Sequence, residues 1–296
     1  MSKLQNTLRN KLMNPYYQYM AFLSHIGKPY THQQDVPPPK LILVTVAFNT
    51  PILIQYQIEY IKKYLQDKDY QLIVADNSTK ETYRKEISKI CEENGIEYIP
   101  IPKYINKLHS SKLFFHGASH GAALNWLFYH VISVRKPMYF AFIDHDIIPF
   151  SPTSLLNHIE KDGIDFYGDY RKRGKGWYIW PGYCIFRYEI MERYQPNFLP
   201  MLYEGVYFDS GGSNHKNIYR YYPLEASYFA KNEQIKLKKT EGLTKWDQIY
   251  HADYIQIIDN DWVHIINGSN YAQIPGKEQT VKKILHNLER IKKLRE

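Results

Sequence analysis

The chain has 296 residues, 44% of them hydrophobic, enough to bury a sizeable core in one large domain or two small ones and unlike the composition of a disordered protein. No apolar run approaches the roughly 18 residues of a membrane span, and the opening MSKLQNTLRNKLMNPYYQYMAFLSHIG lacks a signal-peptide core, so a cytoplasmic protein is expected, with Cys91 and Cys184 as reduced, buried thiols. The formal charge of +8 suits an anionic partner, but the basic residues are scattered and no nucleic-acid motif is present, which argues against a nucleic-acid partner.

Residues 1–39 read as a polar, helical lead-in that stops at Pro37, Pro38 and Pro39, since three prolines continue neither a helix nor a central strand. The main domain then spans 40–280. LILVTVAFN (41–49) is a continuous β-branched and apolar run, as a strand covered on both faces requires. Pro51 opens an amphipathic helix. QLIVADNS (71–78) is a second buried strand, followed by a helix over TKETYRKEISKICEENG with Gly95 as its terminator. IEYIPIP gives a short third strand, HGAALNWLFYHVISV a helix, and MYFAFIDHDIIPF (138–150) the most apolar strand of the chain. Four strand and helix alternations in about 110 residues predict an α/β fold, a mostly parallel central sheet flanked by helices.

After residue 150 the pattern shifts. SPTSLLNHIEKDG is one more helix, but IDFYGDYR and GWYIWPGYCIFR read as shorter strands that pair antiparallel, an α+β extension of the same sheet. At the end, 281–296 form a basic amphipathic helix with Val281, Ile284, Leu285, Leu288, Ile291 and Leu294 at helical spacing. Two readings stay open for it: a helix docked on the domain, and peripheral contact with a membrane at the cytosolic face.

In open parallel sheets, ligands bind beyond the carboxyl ends of the strands. The polar residues there are Phe48 and Asn49, then Asp76, Asn77 and Ser78, then Asp144, His145 and Asp146. Asp144 and Asp146 lie two apart at a strand end, so they project to the same side, and they read either as sharing one hard cation or as two incidental acids of a solvated turn. Such a cation bridging phosphate oxygens offsets the cost of burying acids beside FAFI.

Over residues 41–187 this series resembles the GT-A-fold, Rossmann-like glycosyltransferases of the family 2 kind. LVTVAFN resembles the opening strand, whose end, Ala47, Phe48 and Asn49, would line the nucleoside. VADNST resembles the second strand, with Asp76 near the base or ribose and Asn77 beside it. HGAALN, ending in Asn125, resembles the helix before the metal motif, and FIDHDI resembles the Asp-x-Asp strand. The resemblance implies transfer of a sugar from a UDP- or GDP-sugar to a glycan or other hydroxyl acceptor, by inversion. Manganese or magnesium would be held by Asp146 with help from Asp144, and His145 would lie against the donor.

WPGYCIFR resembles the segment that frames acceptor and donor sugar, with Trp180 read either as part of that frame or as core. The usual Glu-Asp pair after it is missing. Asp209, in VYFDSGGSN, is the nearest candidate for the base, with a turn cap and an acceptor-hydroxyl contact as the other readings. His264, in DWVHIINGSNY, is read as a metal or diphosphate ligand or as a core histidine with a hydrogen bond. The Arg171, Lys172, Arg173, Lys175 loop is either solvated or helps neutralise the diphosphate. A sugar nucleotidyltransferase shares fold and metal, but AFNTPILIQ lacks its glycine-rich phosphate loop; a non-catalytic carbohydrate-binding or scaffold protein is the other alternative.

Overall fold

The computed structural model describes residues 3–30, 37–107, 117–223, 228–236, 254–268 and 276–294. Its centre is a six-stranded sheet in the order β3-β2-β1-β4-β7-β6. The strands are β1 (Leu41–Ala47), β2 (Tyr70–Asp76), β3 (Glu97–Pro100), β4 (Tyr139–Asp144), β6 (Phe166–Arg173) and β7 (Gly176–Arg187). β1 to β4 run parallel, and β7 is antiparallel to both β4 and β6. The expected mixed, mostly parallel sheet flanked by helices is therefore the observed architecture, with the antiparallel extension in the same sheet.

The continuous apolar runs follow from burial on both faces. Along β1, Ile42, Val44 and Val46 enter one hydrophobic cluster while Leu41, Leu43 and Ala47 enter the other. β4 divides likewise, with Phe140 and Phe142 on one face and Tyr139, Ala141 and Ile143 on the opposite one. Period-two geometry needs an apolar residue at every position when both faces are covered, and each such side chain contributes about 1.5–3 kcal/mol on burial.

α1 (Lys3–Ser24), α2 (Pro51–Tyr64), α3 (Glu81–Asn94), α4 (Lys103–Lys107) and α5 (Ala118–Leu127) are the helices of the first half. α2 starts with Pro51 in its first turn, where a missing N–H costs nothing. α3 ends at Gly95 with φ 66°, the left-handed residue that closes its last carbonyls. α5 runs through a π-turn (Phe128–Ile132) into a last short turn, α6 (Ser133–Arg135). α1 is built into the core through Met13, Tyr17 and Met20.

The run 138–150 is not one strand. β4 ends at Asp144, the chain turns through His145 and Asp146, and β5 (Ile147–Pro149) pairs with a different sheet. That second sheet has the order β10-β11-β12-β5, with β10 (Asn232–Lys236), β11 (Tyr254–Ile258) and β12 (Trp262–His264). The break therefore leaves Asp144 at one sheet's edge and brings His264 of the other alongside, because His264 pairs with Ile147. α7 (Leu155–Glu160), α8 (Tyr188–Tyr194), the hairpin of β8 (Met201–Tyr203) and β9 (Val206–Phe208), and α9 (Asn214–Asn217) complete the second half.

The C-terminal α10 (Lys277–Leu285) buries Val281, Ile284 and Leu285, and the following turn buries Leu288 and Ile291, all against β5, β11 and β12. The apolar stripe that a membrane would need is thus turned into the protein. Among the described residues, no helix is long and apolar enough to cross a membrane.

Candidate active site

Asp144 and Asp146 lie at the open end of β4, and each faces a histidine. His120, in the first turn of α5, places Nε2 3.2 Å from Asp144 Oδ1. His264, at the end of β12, places Nε2 3.9 Å from Asp146 Oδ1. His264 Nδ1 is 2.9 Å from Gln256 Oε1. An amide oxygen only accepts, so Nδ1 donates to Gln256, and Nε2 is the ring nitrogen turned toward Asp146. His145, between the two acids, turns away: its Nδ1 lies 2.9 Å from the Val46 carbonyl, and its buried Nε2 has no hydrogen-bond partner among the described residues.

The turn that carries the acids is held from beneath by Gln57 of α2, which is 1% exposed. Its amide nitrogen donates to the carbonyls of both Asp144 and Ile147, at 2.8 Å each. Its Oε1 lies 2.8 Å from the Thr45 hydroxyl, which also lies 2.7 Å from the Ile143 carbonyl. From above, Gly268 passes so close that a Cβ there would sit 2.7 Å from Asp146 Cβ.

Burial alone would lower the His120 pKa, but the hydrogen-bonded Asp144, with Asp209 and Asp146 further away, outweighs it and raises the pKa. For Asp144, burial acts upward, yet His120 and then His145 and His264 hold the carboxyl below its ordinary range. Asp209 is exposed to solvent but crowded by protein, as on a cleft wall. Desolvation first, and Asp144 after it, raise its pKa against the Ser210 N–H and His120. One imidazole therefore sits within electrostatic reach of three acids from β4, its following turn and the 209–213 loop.

The ends of β1 and β2 form the neighbouring edge. Ala47 is buried, Phe48 half-buried, and Asn49 takes φ 53°, a left-handed conformation that asparagine tolerates. Asn49 ties the two strand ends together: its N–H donates to Ser78 Oγ at 2.8 Å and its Oδ1 accepts from the Thr79 N–H at 3.1 Å. Asp76 is fully buried, accepting from the Ser78 N–H and the Tyr98 hydroxyl, both at 2.8 Å. Its carboxylate orders the turn after β2. Asn77 donates to Ser119 Oγ at 3.0 Å and so fastens this edge to the start of α5, while its buried Oδ1 has no hydrogen-bond partner among the described residues. Asn125 is not brought to the acids. It is fully buried two turns along α5, where its amide accepts from the Phe198 N–H at 2.7 Å and donates to Asn197 at 2.9 Å.

The third wall is a bulge. Between β6 and β7 the register jumps, Gly168 opposite Cys184 but Asp169 opposite Trp180, which leaves Pro181, Gly182 and Tyr183 out of step. Trp180 folds over Gly182, where a Cβ would lie 2.2 Å from the indole. The ring lies between His264, 5.1 Å away by centroid, and the Arg171 guanidinium, 5.1 Å from its centroid. Of the basic loop, Arg171 alone is turned inward, paired with buried Asp169; Lys172, Arg173 and Lys175 are exposed. Asp209 accepts from the Ser210 N–H at 2.8 Å, as a turn residue would, and a Cβ on Gly117 would lie 2.6 Å from its Oδ1.

His120 and Gln57 were not singled out by sequence reasoning. Nothing local marked His120, and only the structure shows it as the one residue of Ala118–Leu127 that is not buried. Gln57 offered no signal either, since a glutamine in an amphipathic helix reads as a solvated position.

No protein-family model matches the chain, and no curated protein matches its sequence. Among solved structures it is similar to the mannosyltransferase PcManGT from Pyrobaculum calidifontis in complex with GDP-Man and Mn2+, at 12% identity over 66% of this chain and 57% of that one, TM-score 0.37. It is also similar to TarS of S. aureus, at 13% identity over 54% of this chain and 30% of that one, TM-score 0.36. A third is glucosyl-3-phosphoglycerate synthase from Mycobacterium tuberculosis with Mn2+, uridine-diphosphate and glucosyl-3-phosphoglycerate, at 15% identity over 59% of this chain and 67% of that one, TM-score 0.36. The chain spans less than a third of TarS and just over half of the mannosyltransferase. In the chain's own sheet, β3, β2, β1 and β4 run parallel in that order, the acid-bearing turn follows β4, and β7 lies antiparallel beside it.

Proposed function

We propose that this protein transfers a sugar from a nucleotide-diphosphate donor to a hydroxyl acceptor, with a divalent cation bound at Asp146. The observation that carries the reading is the pairing of Asp144 and Asp146 with His120 and His264, beyond the carboxyl ends of the parallel strands.

The donor set fits manganese or magnesium. Asp146 and Nε2 of His264 are the protein ligands, with Gln256 accepting from Nδ1. Among the described residues no cluster of three or more metal-binding side chains is assembled. Such cations are commonly held by one or two carboxylates, substrate phosphates and water supplying the remainder. When bound, the cation neutralises charge building on the departing diphosphate.

The chain's own groups account for the other requirements. His120, held on Asp144 with its pKa raised, and Arg171, paired with Asp169 beside Trp180, are the basic groups on this side of the sheet. The strand ends at Ala47, Phe48, Asn49 and Asn77 line the side where the nucleoside would lie, and Trp180 offers an apolar face to a sugar ring. Asp209, whose pKa burial raises, is the proposed base for the acceptor hydroxyl's proton, the role that an inverting transfer needs.

Thermal denaturation with UDP or GDP, in manganese or in chelator, tests the donor end. The expected result is a stabilisation that needs manganese and disappears in Asp146→Ala; an equal shift in chelator would refute metal-assisted binding. For the acceptor end, Asp209→Asn is expected to keep nucleotide binding while turnover falls by roughly a hundredfold or more. Near-normal turnover would remove Asp209 as the base.

A further inference from the structure

The first helix carries an apolar surface that the fold does not use. Met13, Tyr17, Met20 and Ser24 form its buried stripe. On its outer side Leu12, Tyr19 and Phe22 are 47%, 54% and 64% exposed, and Ile26, just past the helix end, is 46% exposed. Pro15 is exposed as well. At 3.6 residues per turn, Leu12, Pro15, Tyr19 and Phe22 fall within an arc of about 80°. Lys11 and Gln18, both exposed, flank that arc on its polar side. Beside Ile26 stands Tyr104 of α4, 38% exposed, whose hydroxyl donates to the Ile26 carbonyl. Most of the large exposed apolar residues among the described ones therefore gather in one place, which a soluble monomer rarely tolerates without a use.

This surface cannot roll inward. The Asn14 amide exchanges hydrogen bonds with the Leu202 N–H and carbonyl, both at 2.9 Å, and so locks the helix to the hairpin of β8 and β9. The stripe Met13, Tyr17 and Met20 already fills the core beneath.

Charge selects the occupant. The first acidic residue of the chain is Asp35, whereas Lys3, Arg9, Lys11 and Lys28 precede it. Lys103 of the adjoining α4, its side chain 72% exposed, is paired with Glu81 at 3.5 Å and adds no net charge there. A second copy of the same face would set Lys11 and Lys28, both exposed, against their own counterparts. An anionic surface would not, and tyrosine and phenylalanine beside lysines are suited to the boundary between headgroups and acyl chains.

We propose that the outer flank of α1, with Tyr104 of α4, docks this protein on a lipid bilayer bearing anionic headgroups. Phe22 and Ile26 enter the apolar boundary, while Lys11 and Lys28 meet the headgroups. The inference stands independently of the reaction.

Co-sedimentation of the full chain with vesicles of phosphatidylcholine, alone or mixed with phosphatidylglycerol, tests it. Binding is expected to the mixed vesicles, to weaken as salt is raised, and to drop by roughly tenfold or more in Phe22→Ser/Ile26→Ser, whose exposed sites leave the melting temperature nearly unchanged. Lys11→Glu/Lys28→Glu is expected to weaken it also. Failure of the wild-type chain to bind anionic vesicles would overturn the proposal. So would equal binding by the Phe22 and Ile26 variant, or self-association that this variant abolishes while the vesicles stay unbound.

Discussion

Gln57 shows how much a site depends on a residue that never touches a substrate. Its amide holds both carbonyls that bracket His145 and Asp146, so the direction of the Asp146 carboxylate depends on it. Replacing Gln57 with leucine keeps most of the volume and leaves those carbonyls without their donor, at a cost of about 1–3 kcal/mol. Urea denaturation is expected to read that loss. Manganese-dependent stabilisation by a nucleotide diphosphate should fall with it, whereas a merely structural role would lower stability and leave the manganese effect intact. The strand-end acids were legible in the sequence because charge interrupts an apolar run there. Of their partners, His264 was read from the sequence as a candidate metal or diphosphate ligand but His120 was not: the two are 144 positions apart in the numbering, and nothing local records that both face one turn.

The bulge in β7 decides where the third wall of the cleft stands. Trp180 lies in a strand whose neighbours are buried, and alternation alone would send its ring into the core. The register jump beside Gly168 instead leaves the indole half-buried between Arg171 and His264. Gly182 is what permits this, since the ring occupies the space of its missing side chain. Gly182→Ala is expected to cost about 1–3 kcal/mol through overpacking and to alter the near-ultraviolet circular dichroism of tryptophan. If the wall serves the acceptor or sugar, nucleotide-diphosphate binding should survive better than turnover. The break between β4 and β5 is a comparable case. MYFAFIDHDIIPF reads as one strand by apolarity, but its two halves are buried in different sheets, and apolarity does not say which sheet buries a residue.

Across the whole molecule, the chain's two ends serve different purposes. The tail's apolar stripe completes the third hydrophobic cluster over β5, β11 and β12, and those strands set His264 beside Asp146. Ile284→Ala is therefore expected to cost about 2–5 kcal/mol, while Lys283→Ala, on the exposed side, should stay within about 0.5 kcal/mol; chemical denaturation of the pair distinguishes a docked helix from a loose one. The amino-terminal helix is also embedded, yet it keeps a second apolar flank outside. In sequence the first reads as a polar, helical lead-in and the second as a basic amphipathic helix, so sequence reasoning placed the membrane reading on the tail. Only packing shows which end has its apolar surface already covered.

The sequence by itself determined the alternation of strands and helices, the parallel half of the sheet and the place of the Asp144 and Asp146 turn, because each of these leaves a local trace. Burial on both faces writes a continuous apolar run, a helix writes a period of 3.6, and a carboxylate at a strand end interrupts both. The tertiary structure decided what gathers around that turn. Asp76 and Asn125 proved to be buried and engaged within the protein, while His120, Gln57, Arg171 and Trp180 converge from α5, α2, β6 and β7. Such convergence depends on register and on which sheet each strand joins, and these are set by long-range packing that leaves no mark on neighbouring residues.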